Sequence, residues 1–169
     1  MTDEQQKLLE LLDDLTIAMF TTVDTDGTLT SRPMARQQVE PSAQMWFITA
    51  RDSRQVAHLA VRPRVGVTFS SSSTWVSLSG TAAVVDDRAK LDELWNTFAE
   101  AWMPEGPEDP NVVLIRVDLD GGEYWDTPGG RVASLLSFAK AKVTGKPYDG
   151  ADNERVDLSS TAEPGRRTT

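Results

Sequence analysis

The chain has 169 residues, enough for one domain with a full core, and its 39% hydrophobic and 25% charged residues exclude a mostly disordered protein. A formal charge of −9 speaks against nucleic acid as a partner, and no apolar run reaches the roughly 20 residues of a membrane span, so a cytoplasmic protein with no membrane partner is expected. Zero cysteines and a single histidine exclude disulfides, thiol nucleophiles and cysteine- or histidine-rich metal clusters.

Thr2 and Gln5 form a capping-box pattern, and Leu8, Leu9, Leu11, Leu12 and Leu15 follow at helical spacing, which predicts a short amphipathic helix. From Ile17 the pattern becomes "IAMFTTVDTDGTLTSRPM", two strands joined by a hairpin turn at Asp26-Gly27. Pro33 lies inside the second strand, where proline removes a ladder hydrogen bond, so the strand is expected to bend or lose a partner there. "AQMWFITA" (43–50) predicts a third strand, and "RDSRQVAHLAVRP" a short helix with Ser53 as N-cap and Pro63 as its stop. Strands resume with "RVGVTFSS" (64–71) and "WVSLSGTAAVV" (75–85).

"DDRAKLDELWNTFAEAWM" (86–103) predicts one long helix with Leu91, Leu94, Trp95, Phe98 and Trp102 on a stripe facing the core. After the breaker "PEGPEDP" come two further strands, "NVVLIRVDL" (111–119) and "GEYWDT" (122–127), and a last helix, "RVASLLSFAKAKV" (131–143). Residues 1–150 are read as the domain and 151–169 as a polar, flexible tail. About seven strands, mostly in hairpins and flanked by helices, predict an α+β, mainly β domain built on a small antiparallel barrel.

Period two puts Arg32, Met34 and Arg36 on one face of the second strand. Two readings stay open for it: a solvated face, or a clamp for one small anion, because a guanidinium matches phosphate with paired hydrogen bonds. "TARDSRQ" (49–55) sets Thr49, Arg51, Ser53 and Arg54 around a helix N-terminus, where free N–H groups and the dipole favour an anion. Without the arginines, Ser53 is a plain N-cap. Trp46, Trp75 and Trp125 stand at or near strand ends, open to core packing, a flat ligand or a subunit interface. His58 falls in a helix pattern and is expected at its surface or partly buried, so no serine triad emerges. An enzyme with so little side-chain machinery needs a cofactor to carry its chemistry.

"SRPMARQ" (31–37), "MWFITARDSRQVAHLAVRPRVGVTF" (45–69), the segment 75–126 from "WVSLSGTAAVV" to "GGEYWD", and "KAKVTGKPYDGADNERVDL" (140–158) together resemble the general stress protein 26 family. That family lies within the pyridoxamine 5′-phosphate oxidase-like FMN-binding split barrels. The resemblance implies a split β-barrel of about six to seven antiparallel strands with flanking helices. It also implies a homodimer with flavin sites at the subunit interface, and a small-molecule substrate or electron donor. Motif by motif, Arg32, Pro33, Met34, Ala35, Arg36 and Gln37 take the place of the strand that runs along the flavin and helps hold its phosphate. Ile48 and Thr49 match a cofactor-contacting pair, Ser53, Arg54 and Gln55 a second phosphate segment, and Trp75 a position beside the ring.

The implied function is a stress-linked, FMN-dependent oxidoreductase. The alternatives are a non-catalytic flavin store or redox sensor, and a reductase using the deazaflavin F420; FAD is a further candidate cofactor. Gln37 and Gln55 stand where lysines are common, which implies a weaker hold on the phosphate. No histidine follows His58, so the arginine-x-histidine substrate motif of true pyridoxamine 5′-phosphate oxidases is missing, and oxidation of vitamin B6 is not implied.

Overall fold

The first hairpin follows from its turn. In the computed structural model, which describes residues 2–126 and 152–159, Gly27 takes a φ of 92°, a left-handed conformation that glycine reaches without a Cβ clash. Asp24 donates its N–H to Thr28 O at 2.8 Å. Strands β1 (Ile17–Val23) and β2 (Leu29–Val39) then pair antiparallel from Val23 against Leu29 to Ile17 against Ala35. Helix α1 (Asp3–Asp13) precedes them with the expected Thr2–Gln5 capping box, and its Leu8 and Leu12 are buried.

The chain continues through β3 (Gln44–Ala50), α2 (Arg54–Val61), β4 (Arg64–Ser70) and β5 (Thr74–Val85). It then forms α3 (Arg88–Leu94), α4 (Thr97–Trp102), β6 (Val112–Asp126) and β7 (Asp152–Asp157). The strands lie in the order β3-β2-β1-β4-β5-β6-β7, and a β3–β6 pairing closes β1 to β6 into a barrel, with β7 as an extra strand on β6. The length of β6 makes this arrangement work. Its first half pairs with β3 from Val112 to Asp118, and its second half passes the same edge to β7 from Gly121 to Asp126.

Alternation along the strands fills the barrel with Phe20, Met45, Phe47, Val67, Phe69 and Val76, all essentially inaccessible to solvent. A smaller cluster of Trp46, Leu91, Leu94, Val112 and Leu114 lies on the other face of β3, beneath α3. Trp46 is thus a core residue, with its indole N–H donated to Glu40 Oε1 at 2.9 Å. Among the described residues no helix is long and apolar enough to cross a membrane.

The elements differ from the sequence expectations in three places. The single helix expected over 86–103 is two, because Asn96 leaves the helical path and its side-chain oxygen accepts from the Phe98 and Ala99 N–H groups, each at 3.0 Å, starting α4 anew. Phe98 and Trp102 leave the core stripe as a result and are 49% and 71% exposed. The two strands expected at 111–119 and 122–127 are one strand, β6. Residues 152–157, placed in a flexible tail from the sequence, form β7, and Val156 and Leu158 are buried. Polar composition misleads there, since β7 needs to bury only one face. The helix expected over 131–143 lies outside the described residues.

A register shift between Ser79 and Gly80 bends β5 against β6. A Cβ on Gly80 would come within 2.5 Å of Asp118 O and 2.9 Å of Val117 Cγ1. Gly80→Ala is therefore expected to lower the unfolding free energy in urea by about 1–3 kcal/mol; an unchanged midpoint would show that the strands part there at no cost.

Candidate functional site

β3 joins β2 only from Arg36 onward, while Pro33 faces Met19 of β1, so among the described residues the outer half of β2 has one unpaired side where the sequence placed its proline. A cavity of about 360 Å³ opens there, a size within the range of small-molecule sites. Its floor is β2, through Pro33, Met34, Ala35 and Gln37, with Ile17 of β1 beside them. Ile48 and Thr49 of β3 and Gln55 of α2 form one wall. Phe98, Ala99, Trp102 and Met103, from α4 and the residue after it, form the other.

Seven of the twelve residues expected to hold a cofactor therefore surround one space: Pro33, Met34, Ala35, Gln37, Ile48, Thr49 and Gln55. The α4 wall was missed. The stripe Trp95, Phe98, Trp102 reads as core only if the helix runs unbroken, and the signal against it was Asn96 as a second N-cap. The lining carries no charged side chain among the described residues. Its polar groups are amides and a hydroxyl: Gln55 Nε2 donates to Thr49 Oγ1 at 2.6 Å, and Gln37 Oε1 accepts from Asn96 Nδ2 at 2.6 Å.

Arg32, Met34 and Arg36 do share a face of β2, but its three side chains have different fates. Met34 enters the core. Arg36 turns to the end of α1 and the residues after it, donating Nη2 to Leu12 O at 2.8 Å, which also accepts from the Leu15 N–H at 3.0 Å, and Nε to Leu15 O at 3.3 Å. Burial pulls its guanidinium below the usual arginine range, with Asp13 opposing. Arg36→Met is expected to cost about 1.5–3 kcal/mol of stability, read by urea unfolding, because charged hydrogen bonds to partly buried carbonyls are lost.

Arg32 is different. It donates Nη1 to Thr22 Oγ1 at 2.9 Å and forms no ion pair among the described residues. Burial, and next the nearby positive charge of Arg54, lower its proton affinity, yet a guanidinium stays charged in any protein. Arg54 itself is exposed and reaches Asp24 Oδ2 at 3.3 Å. Arg54 is the first residue of α2, whose N-cap Ser53 makes no side-chain capping bond among the described residues. Ser53 Oγ instead lies 3.4 Å from Thr49 Oγ1. Arg51 is drawn away to Asp86. Trp75 is 45% exposed on β5, opposite Trp125, and does not line the cavity of this chain.

The family profile described as pyridoxamine 5′-phosphate oxidase-like matches residues 3–149. The chain belongs to that family. Within it, protein bli-3 of Neurospora crassa is 32% identical over 157 residues, covering 84% of this chain and 75% of its own. Among solved family structures, a general stress protein 26 from Jannaschia sp. CCS1 superposes with a TM-score of 0.73 at 29% identity, covering 93% of this chain and 99% of that one. The general stress FMN/FAD binding protein of Xanthomonas citri has a TM-score of 0.62 at 34% identity, covering 74% of this chain and 90% of its own. This member of the family thus combines a closed antiparallel barrel with a neutral cavity and, next in sequence to the lining residues Pro33 and Gln55, two arginines, Arg32 and Arg54.

Proposed function

We propose that this family member binds FMN, with the phosphate between Arg32, Arg54 and the start of α2, and the flavin ring in the apolar cavity along Pro33 and Ala35. The observation that carries the reading is Arg32. A half-buried guanidinium with no carboxylate partner among the described residues is costly, and a phosphate beside the N-terminus of α2 would offset that cost. The neutral lining suits a flat ring with a polar edge, to which Thr49, Gln37 and Gln55 offer hydrogen bonds. The Xanthomonas citri relative, named for FMN/FAD binding, points the same way.

The site is completed by a second copy of the chain. Ile17, Met19, Phe98 and Trp102 are all 45% or more exposed around the cavity and the adjoining β1 face, a coherent apolar surface of the kind that marks an interface. A homodimer would cover it and bring Trp75 of one copy toward the ring bound by the other. When bound, FMN supplies the electron or hydride transfer. The protein binds and orients it, and excludes water with the aromatic wall of α4. On this reading the protein is a cytoplasmic, stress-linked oxidoreductase acting on a small molecule.

A second reading, a flavin store or redox sensor, is favoured by one observation: no lining residue among those described is an acid or base able to move a proton. Absorption and fluorescence titrations with FMN, FAD and F420, followed by anaerobic mixing with NADH and NADPH, separate the readings. FMN is expected to bind at micromolar concentration or below, and the enzyme reading requires its reduction faster than that of free FMN. Failure of all three cofactors to bind would overturn both readings.

A further inference from the structure

His58, the one histidine of the sequence, lines no part of the cavity, yet it is 4% exposed and bonded at both ring nitrogens. Nδ1 lies 2.8 Å from Thr22 Oγ1, and Nε2 lies 3.3 Å from Asp24 Oδ2. An ionised carboxylate only accepts hydrogen bonds, so Nε2 carries a proton and, in the neutral ring, Nδ1 is an acceptor. Backbone donation from Thr25, opposed by burial and reinforced by the Thr25 hydroxyl and Arg54, holds the Asp24 carboxyl below the usual range and keeps it ionised.

The hydroxyl of Thr22 has one hydrogen, and that hydrogen goes to Nδ1. Its lone pairs are then left for Arg32 Nη1 at 2.9 Å. Thr22 is fully buried, so bulk water does not compete. The sheet makes the contact natural: Phe20 pairs with Arg32 across β1 and β2, which puts Thr22 on the same face as its diagonal neighbour.

We propose that His58 is a positioning residue for the phosphate-binding arginine, acting through Thr22 and anchored by Asp24. The inference rests on the flavin reading above. A carboxylate placed directly on Arg32 would orient it and also neutralise it. A neutral imidazole and a hydroxyl placed between them orient the guanidinium and leave its charge for the ligand. Asp24 Oδ2 at the same time holds Arg54, so one carboxylate aligns both cations, one directly and one through the relay.

Two measurements test this. With one histidine, the imidazole gives a single pair of nitrogen resonances in labelled protein, and in alkaline solution the ligand-free chain is expected to show the Nε2–H tautomer; the Nδ1–H tautomer would overturn the relay. The second measurement compares FMN with riboflavin, which has the same ring and no phosphate. Thr22→Val and His58→Leu are expected to lower the FMN-to-riboflavin affinity ratio about tenfold, as for loss of one hydrogen bond. Riboflavin affinity should change by less than about twofold. Thr22→Ser, which keeps the hydroxyl, is expected to retain the ratio, and the two Thr22 variants decide the matter if His58→Leu does not fold. If Thr22→Val keeps the wild-type ratio while Arg32→Ala lowers it, the relay fails and the phosphate site stands. A wild-type ratio near one, unmoved by Arg32→Ala, would instead sink the flavin reading and the relay with it.

Discussion

Replacing Arg32 by alanine is expected to weaken FMN binding by about 1.5–3 kcal/mol, the range for hydrogen bonds to charged groups, or roughly tenfold to 150-fold in Kd. Riboflavin binding should be unchanged, because the ring meets the neutral lining rather than the guanidinium. The size of the effect follows from the setting of Arg32: it is partly desolvated, held by a hydroxyl instead of a carboxylate, and lies within reach of the charge of Arg54. Little screening therefore separates it from a bound phosphate. Arg36 provides the contrast. Its donors are taken by Leu12 O and Leu15 O, so its loss should appear in stability and not in the preference for FMN over riboflavin. Equal losses for FMN and riboflavin in Arg32→Ala would show that Arg32 acts through the fold alone.

That contrast also marks how far the sequence reaches. Period two correctly put Arg32, Met34 and Arg36 on one face, and Asp26-Gly27 correctly placed the turn that starts β2. What Arg36 meets is decided by Leu12 of α1 and Leu15 just after it, more than 20 positions earlier, and local pattern carries no such information. The barrel itself was expected, but the same limit hid which strands close it, since β3 pairs with β6 about 70 residues later in the chain. The cavity wall was hidden for a local reason: Asn96 fits the helical period but prefers a cap, and the cap breaks the stripe that made Phe98 and Trp102 look buried. His58 was expected at the surface of a helix or partly buried because α2 is short and amphipathic. Its burial comes from Thr22 of β1 and Asp24 of the turn after it.

The largest loss of stability is expected for Phe47→Ala, at about 3–5 kcal/mol, the usual cost of emptying an aromatic site in a core. Phe47 is fully buried and packs edge-on against Phe20, with ring centroids 5.1 Å apart. It also pairs with Arg36 on one side and Ile115 on the other, at the point where β3 closes the barrel between β2 and β6. Its neighbours Met45 and Trp46 fill opposite faces of the same strand, so the surroundings cannot collapse into the vacated space without disturbing both clusters. For a chain of this size, a loss of 3–5 kcal/mol corresponds to a fall in Tm of roughly 6–20 °C. A fall smaller than about 2 °C would show that the barrel repacks freely. Ile48 and Thr49 follow directly in β3 and line the cavity, which links this variant to the site. FMN at a hundred times its Kd should restore about 2.7 kcal/mol to Phe47→Ala by mass action, whereas at that same FMN concentration Arg32→Ala should gain far less, because its own Kd is higher.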